Sequence, residues 1–145
     1  MINIEYYNQV ALWGKAPEPY QVQVLADILD ILPEGTTSIL DAGCGDGYIT
    51  NALPHKSRVV GMDISEEALK HINGEKKLGS ITDIPFADKS FGLVMANDVI
   101  EHLPEIEYEK ALRELRRVAS RYILITVPHN EQLGSNKEKC ANCGT

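Results

Sequence analysis

Three glycines at alternate positions follow a short apolar run, and this stretch constrains the fold more than any other part of the chain. Residues 39–47 read Ile-Leu-Asp-Ala-Gly-Cys-Gly-Asp-Gly, and a helix-compatible segment begins at Tyr48. A strand, a glycine turn and a helix in succession are typical of a nucleotide-binding crevice in a parallel α/β sheet. Glycine suits such a turn because it accepts positive φ and lets a ligand approach the backbone.

The spacing of the glycines indicates which nucleotide the crevice would take. A dinucleotide site has the pattern G-x-G-x-x-G, which places a pyrophosphate at a helix N-terminus. Here the pattern is D-x-G-x-G-x-G, in which Asp41 precedes the first glycine. A carboxylate at this position would repel a phosphate and suit an ammonium group, so the predicted ligand carries adenosine and an amino acid. S-adenosylmethionine fits this description better than the NAD of a dehydrogenase; a tight turn without a ligand is the other interpretation.

The same stretch resembles motif I of the class I S-adenosylmethionine-dependent methyltransferases, and the chain is most similar to their small methyltransferase-11-type domains. Further segments match in the order typical of that family: 59–64, 84–91, 97–103, 113–118 and 124–128. The resemblance covers roughly residues 36–130. It implies an α/β fold with a Rossmann-like parallel sheet and helices on both of its faces.

The pattern of apolar residues also predicts alternating strands and helices, as in a mostly parallel sheet. The predicted strands are 38–42, 58–62, 77–81, 91–96 and 122–127, and the predicted helices are 20–32, 48–53, 66–72 and 105–119. The last strand is almost entirely apolar, which predicts burial on both faces. The family's sheet has seven strands, so we expect strands one to five here and a longer parent protein. The fifth strand would then be an apolar edge that favours self-association.

We expect three regions along the chain. Residues 1–35 would form an N-terminal lid and helix, 36–130 the cofactor-binding core, and 131–145 a polar tail that begins a missing C-terminal part. The first region and its border with the helix carry four aromatic residues, Tyr6, Tyr7, Trp13 and Tyr20. These either form a lid over cofactor and substrate or bury the first long helix.

The resemblance implies S-adenosylmethionine as cofactor and S-adenosylhomocysteine as product. The backbone at Gly43 and Gly45 would line the methionine part of the cofactor. Asp41 would reach its ammonium through water, cap the glycine turn, or do both. Asp63 ends the second predicted strand, where a carboxylate can accept hydrogen bonds from both ribose hydroxyls; a plain loop aspartate is the alternative.

Recognition of the adenine departs from the family pattern. Family members usually carry an aspartate five residues before the Pro-Phe pair, and this chain has Ser80 there. Ser80, or the backbone around Ile81, would therefore contact the adenine. Ile64 would pack on its face or belong to the core. Asn97 follows the fourth predicted strand and would meet the methionine part.

The predicted reaction is an in-line methyl transfer to a small-molecule acceptor, for which the protein supplies orientation and a suitable cavity. His102 is the candidate general base, because the pKa of histidine is ordinarily near neutral. A packing histidine is the alternative for His102, and His129 has the same two interpretations. A non-catalytic module that binds S-adenosylmethionine or another nucleotide is the second functional hypothesis.

Composition and charge exclude several classes of function. A net charge of −7 argues against nucleic acid as the main partner. Four arginines close in sequence do not change this conclusion, because they are interpreted as a solvated helix face: Arg113, Arg116, Arg117 and Arg121. No apolar run is long enough to span a membrane and no signal peptide is visible, which together predict a cytoplasmic protein without membrane contact.

The three cysteines predict no metal site. Cys44 lies between motif glycines and is interpreted as a packing residue. Cys140 and Cys143 form a C-x-x-C pair, but a zinc site needs four ligands and a second pair is absent.

Overall fold

Five parallel strands form one sheet in the computed structural model, which describes residues 3–128. The strands are β1 (Ser38–Ala42), β2 (Arg58–Asp63), β3 (Glu75–Leu78), β4 (Phe91–Asn97) and β5 (Ala119–Thr126). They lie in the order β3-β2-β1-β4-β5, and each neighbouring pair is parallel. This arrangement confirms the predicted Rossmann-like fold with five strands.

Four α-helices and three short 3₁₀ turns accompany the sheet in the described residues. The helices are α1 (Ile4–Tyr7), α2 (Pro19–Ile31), α3 (Glu66–Leu69) and α4 (Glu105–Val118), and the 3₁₀ turns are Val10–Leu12, Thr50–Ala52 and Ile100–His102. The Ser65 hydroxyl caps α3 by accepting the Ala68 N–H at 3.1 Å, as its position before two glutamates predicts. No helix within residues 3–128 has the length and apolar character needed to cross a bilayer.

Helices cover both faces of the sheet. Because alternate residues of a strand point to opposite sides, neighbouring residues of β1 pack against different helices. On β1, Ile39 packs in a cluster with Ile28 of α2, whereas Leu40 packs in a second cluster with Leu115 of α4. Both β1 side chains are fully buried. The carboxyl edge of the sheet, where the glycine loop begins, is therefore held between two apolar cores.

Several predicted elements have different boundaries in the structure. The helix predicted at 66–72 ends at Leu69, and the strand predicted at 122–127 spans Ala119–Thr126. The predicted helix 48–53 is only the 3₁₀ turn Thr50–Ala52. Pro54 follows closely and holds Leu53 extended, which leaves too few residues for an α-helix. The predicted strand 77–81 is wrong at both ends, because β3 begins at Glu75 and stops at Leu78.

The prediction that the fifth strand is buried on both faces is also wrong. Tyr122, Ile123 and Ile125 keep 39%, 43% and 38% of their surface exposed. Within residues 3–128, β5 pairs with β4 alone and lies at the edge of the sheet. Within the described residues the strand is thus an exposed apolar edge, which confirms the prediction of its edge position.

Candidate functional site

The three motif glycines all adopt the left-handed conformation that side chains disfavour. Their φ angles are +83° at Gly43, +52° at Gly45 and +81° at Gly47. A Cβ added to Gly43 would lie 2.5 Å from the side chain of Val99, and one added to Gly47 would collide with Ile72. The loop after β1 therefore requires glycine for both its backbone conformation and its packing.

Hydrogen bonds join the backbone of this loop to the end of β2. The Gly43 and Cys44 N–H groups donate to the Met62 carbonyl at 2.7 and 3.0 Å. The Gly45 N–H donates to Oδ2 of Asp63 at 2.9 Å. The carboxylate that receives a hydrogen bond from the glycine turn is thus Asp63, at the end of the neighbouring strand.

Asp63 is largely buried and both of its oxygens are already oriented. It is 8% exposed, and Oδ1 accepts the Ser65 N–H at 2.9 Å. Burial raises the pKa of this carboxyl, an effect opposed by the backbone hydrogen bonds from Ser65 and Gly45. A carboxylate has about four acceptor positions, more than these backbone N–H groups use, so the side chain can still accept a hydrogen bond from a ligand.

Asp41 lies at the meeting point of three elements. Its side chain is 1% exposed, and it accepts hydrogen bonds from the Thr50 hydroxyl at 2.7 Å and the Asn97 amide at 3.2 Å. Burial raises the pKa of Asp41 to about 6, although these two hydrogen bonds lower it and nearby Asp63 raises it further. Sequence reasoning missed the role of Thr50, since nothing in the local pattern indicates that its hydroxyl turns toward β1.

The N-terminal segment lies against the glycine loop. The Trp13 ring would be 3.2 Å from a Cβ at Gly45. The Trp13 indole N–H and the Ser65 hydroxyl both donate to the Tyr7 carbonyl, at 2.8 and 2.7 Å. The Gly14 N–H donates to Oδ2 of Asp46 at 2.9 Å. Trp13 is thus packed directly against the glycine motif.

The residues predicted to contact adenine lie just beyond β2 and β3. Ile64 follows Asp63 and is half-buried. The Ser80 hydroxyl is engaged within its own turn, 2.8 Å from the Thr82 hydroxyl. Ile81 is 4% exposed and belongs to the core cluster on the α4 side of the sheet. Their roles in binding stay predictions.

The candidate base lies at the end of a short turn and is largely exposed. His102 ends the 3₁₀ turn Ile100–His102, keeps 58% of its side chain exposed, and places Nε2 3.8 Å from Oε1 of Glu101. Its catalytic role stays a prediction. His129, Cys140 and Cys143 lie outside the described residues.

Cys44 behaves as a packing residue. Its thiol is turned toward the Gly45 carbonyl at 3.6 Å, and burial raises its pKa far above the ordinary value. A thiol held in this way is unreactive. Within residues 3–128, no cluster of three or more His, Cys, Asp or Glu side chains is placed to hold a metal ion.

A cavity of about 370 Å³ opens at the carboxyl ends of β4 and β5, next to the start of α2. It is lined in part by Tyr20, Val24, Asp98 and Thr126. Sequence reasoning assigned no role to Asp98. The available signal was its position directly after β4, at the edge where ligands bind in parallel sheets.

Comparison with known proteins matches this geometry to one family. The sequence profile of a methyltransferase domain matches residues 40–122. The chain is 31% identical over 97 residues to malonyl-[acyl-carrier protein] O-methyltransferase 1 of Coxiella burnetii. The matched region covers 65% of this chain and 34% of that protein. The chain spans about a third of the length of the curated relatives it matches.

Solved structures show the same fold. A protein of Pyrococcus horikoshii superposes with a TM-score of 0.67 and 26% identity, over 83% of this chain and 62% of that one. Phosphoethanolamine N-methyltransferase 1 of Haemonchus contortus, solved with phosphoethanolamine and S-adenosylhomocysteine, superposes with a TM-score of 0.64 and 26% identity. That match covers 74% of this chain and 26% of the nematode chain.

Proposed function

The chain belongs to the methyltransferase-domain family, and we propose that it binds S-adenosylmethionine at the glycine loop and transfers the methyl group to a small-molecule acceptor. The observation that carries this proposal is the loop itself. Its three glycines, at alternate positions, all adopt left-handed backbone conformations. The loop lies between two buried carboxylates, Asp41 and Asp63. Such a loop lets a ligand approach the backbone and offers it acceptors without a phosphate-binding helix.

Each part of the proposed cofactor has a matching group in this chain. The backbone at Gly43 and Gly45 lines the methionine part, and Asp41 neutralises its ammonium directly or through water. Asp63 accepts hydrogen bonds from the ribose hydroxyls, because a carboxylate can accept two of them at once.

The remaining predicted contacts belong to the adenine and to the sulfur end. Ile64 packs on the adenine, and Ser80 or the backbone at Ile81 contacts its edge. Asn97 is already joined to Asp41 by its amide at 3.2 Å, so it faces the methionine side of the crevice.

S-adenosylmethionine supplies an activated methyl group when it is bound, and the chain's own contribution is therefore orientation and exclusion of water. Trp13 and the N-terminal segment cover the glycine loop and serve the second purpose. Support for a small acceptor comes from the nematode relative, whose structure holds phosphoethanolamine beside S-adenosylhomocysteine.

Isothermal titration with S-adenosylmethionine, S-adenosylhomocysteine and NAD tests the cofactor assignment. We expect both sulfur ligands to bind and NAD to give no heat. Binding of NAD alone would refute the assignment.

Transfer of a radiolabelled methyl group to small acceptors, measured on the same chain, tests turnover. Tight cofactor binding without transfer to any acceptor would favour the non-catalytic binding module.

A further inference from the structure

The cavity at the ends of β4 and β5 has apolar walls and one charged lining group. Tyr20, Val24, Val127 and Pro128 supply aromatic and aliphatic surface. Among the described residues that line it, Asp98 alone carries a charge. A cavity of about 370 Å³ is within the size range of small-ligand sites.

Asp98 lines this cavity and has an unusual backbone conformation. Its φ is +52°, in the left-handed region that few residues other than glycine adopt. The Asp98 N–H donates to the Thr126 carbonyl at 3.1 Å. This hydrogen bond holds the turn against the end of β5.

The carboxylate of Asp98 keeps acceptor capacity for a ligand. Oδ1 accepts the Thr126 hydroxyl at 3.2 Å, and that hydroxyl also lies 3.4 Å from Oδ1 of Asn97. A hydroxyl has one proton to donate, so it can satisfy only one of these oxygens at a time. Oδ2 of Asp98 forms no hydrogen bond within residues 3–128.

Asn97 and Asp98 place two sites next to each other. The Asn97 amide donates to Asp41, on the side proposed for the cofactor, whereas Asp98 lines the cavity. The Thr126 hydroxyl lies within 3.4 Å of Oδ1 of Asn97 and 3.2 Å of Oδ1 of Asp98, so the two side chains are close together. A molecule in the cavity would therefore lie beside the proposed position of the methionine part.

We infer that Asp98 makes this cavity selective for methyl acceptors that carry an amine, an inference that rests on the proposed function. A half-buried carboxylate attracts an ammonium group and can accept hydrogen bonds from it, while the apolar side chains contact the rest of the molecule. The Tyr20 ring adds a further surface that favours cations. An anionic acceptor would instead place two like charges side by side, so Asp98 also discriminates against carboxylates.

Two probes matched in size and opposite in charge test this inference, namely phenethylamine and phenylacetate. Each is titrated into the unaltered chain by ligand-observed NMR, with and without saturating S-adenosylhomocysteine. We expect phenethylamine to bind at least about tenfold more tightly than phenylacetate, equivalent to 1.4 kcal/mol. Equal binding of the two probes, or a preference for phenylacetate, would overturn the inference whether or not any variant folds.

Asp98→Asn keeps the shape of the side chain and removes its charge. This variant should lose most of the preference for phenethylamine and keep its affinity for S-adenosylhomocysteine. Asp30→Asn, which changes an exposed carboxylate on α2, is the matched control and should behave as the unaltered chain does. A preference that survives in a folded Asp98→Asn variant would show that another group selects the amine.

The two proposals fail in different ways. If S-adenosylhomocysteine does not bind, the proposed function is wrong, while the probe titrations without it still decide the charge preference of the cavity. If it binds and the amine preference is absent, only the role of Asp98 is refuted.

Discussion

The Asp63 carboxylate accepts the Gly45 N–H at 2.9 Å and so joins the end of β2 to the loop after β1. The same side chain accepts the Ser65 N–H at 2.9 Å, which also fixes the start of α3. Asp63 is therefore oriented before any ligand arrives. A preorganised carboxylate of this kind loses little side-chain entropy on binding.

Replacing Asp63 tests both of its roles. Asp63→Ala should weaken cofactor binding by roughly 1.5–3 kcal/mol, the usual scale for a hydrogen bond to a charged group. It should also lower the free energy of unfolding by about 1–3 kcal/mol for each buried N–H left without an acceptor. Titration calorimetry and urea denaturation measure the two effects, with Asp30→Ala as control. Unchanged affinity in a folded variant would place the ribose elsewhere.

The glycine loop can be tested with a pair of alanine variants that share the same backbone strain. Gly35 has φ +72° and nothing within 4 Å of an added Cβ, whereas Gly43 has φ +83° and meets Val99. Gly35→Ala should cost about 1–2 kcal/mol from conformation alone, and Gly43→Ala roughly 1–3 kcal/mol more from overpacking.

Urea denaturation of the two variants measures this difference. Adding Val99→Ala to Gly43→Ala should recover much of the overpacking cost, because it removes the colliding methyl groups. Equal destabilisation by the two single substitutions would contradict the packing account.

Replacing Asp41 with an uncharged residue should change how the stability of the chain depends on pH. Its pKa is about 6 in the folded chain against an ordinary 3.8, mainly because it is buried. The protonated Asp41 carboxyl group therefore binds its proton more tightly in the folded state than in the unfolded state. The stabilisation is complete below pH 3.8 and is lost as the pH rises through about 6.

Asp41→Asn should remove this component, worth up to about 3 kcal/mol at 1.36 kcal/mol per pKa unit. The measurement is the free energy of unfolding of both proteins at several pH values, read as a difference so that other titrating groups cancel. Parallel curves for the two proteins would mean that Asp41 does not titrate in this range.

Trp13 should report directly on the glycine loop. It is the single tryptophan of the chain, and its ring lies against Gly45. Binding of S-adenosylhomocysteine should change its emission, and a lid role predicts that acrylamide then quenches it less. NAD is the control ligand. Unchanged emission and quenching at a concentration that calorimetry shows to be saturating would favour the alternative, in which the ring only packs the N-terminal segment.

The exposed edge of β5 should promote self-association. Edge strands with apolar side chains tend to pair with further strands, and Ile123 and Ile125 are 43% and 38% exposed. We expect the sedimentation coefficient to rise with concentration and Ile123→Lys to suppress that rise. Ile106→Lys on α4, where the side chain is 83% exposed, is the matched control. A strictly monomeric unaltered chain would refute the pairing.

The sequence predicted the elements that carry strong local signals. β1 and the glycine loop follow from an apolar run and the conformational needs of glycine. β3 was misplaced because its residues, Glu-Lys-Lys-Leu, are all exposed and show no apolar alternation. Its strand conformation comes from pairing with β2, which is a tertiary effect that a local pattern cannot reveal.

Contacts between distant residues set the parts of the site that sequence reasoning missed. Asp98 is held by Thr126, 28 residues away, and no spacing rule links the two. The exposure of His102 is a second example, because it depends on how the turn Ile100–His102 packs after β4.

The strand order β3-β2-β1-β4-β5 divides the molecule's proposed tasks along the chain. The glycine loop and Asp63 come from the strands on one side of the boundary between β1 and β4, whereas Asp98 and Thr126 come from the other side. The exceptions are α2, which contributes to the cavity, and Asn97 of β4 and Trp13, which are proposed to serve the cofactor; the other residues of each task come from one continuous stretch. Substitutions in the stretch from β4 to β5 should therefore change the acceptor while cofactor binding, which depends mainly on β1 and β2, is retained. Grafting the β4–β5 stretch of another methyltransferase onto this chain should transfer that protein's acceptor preference.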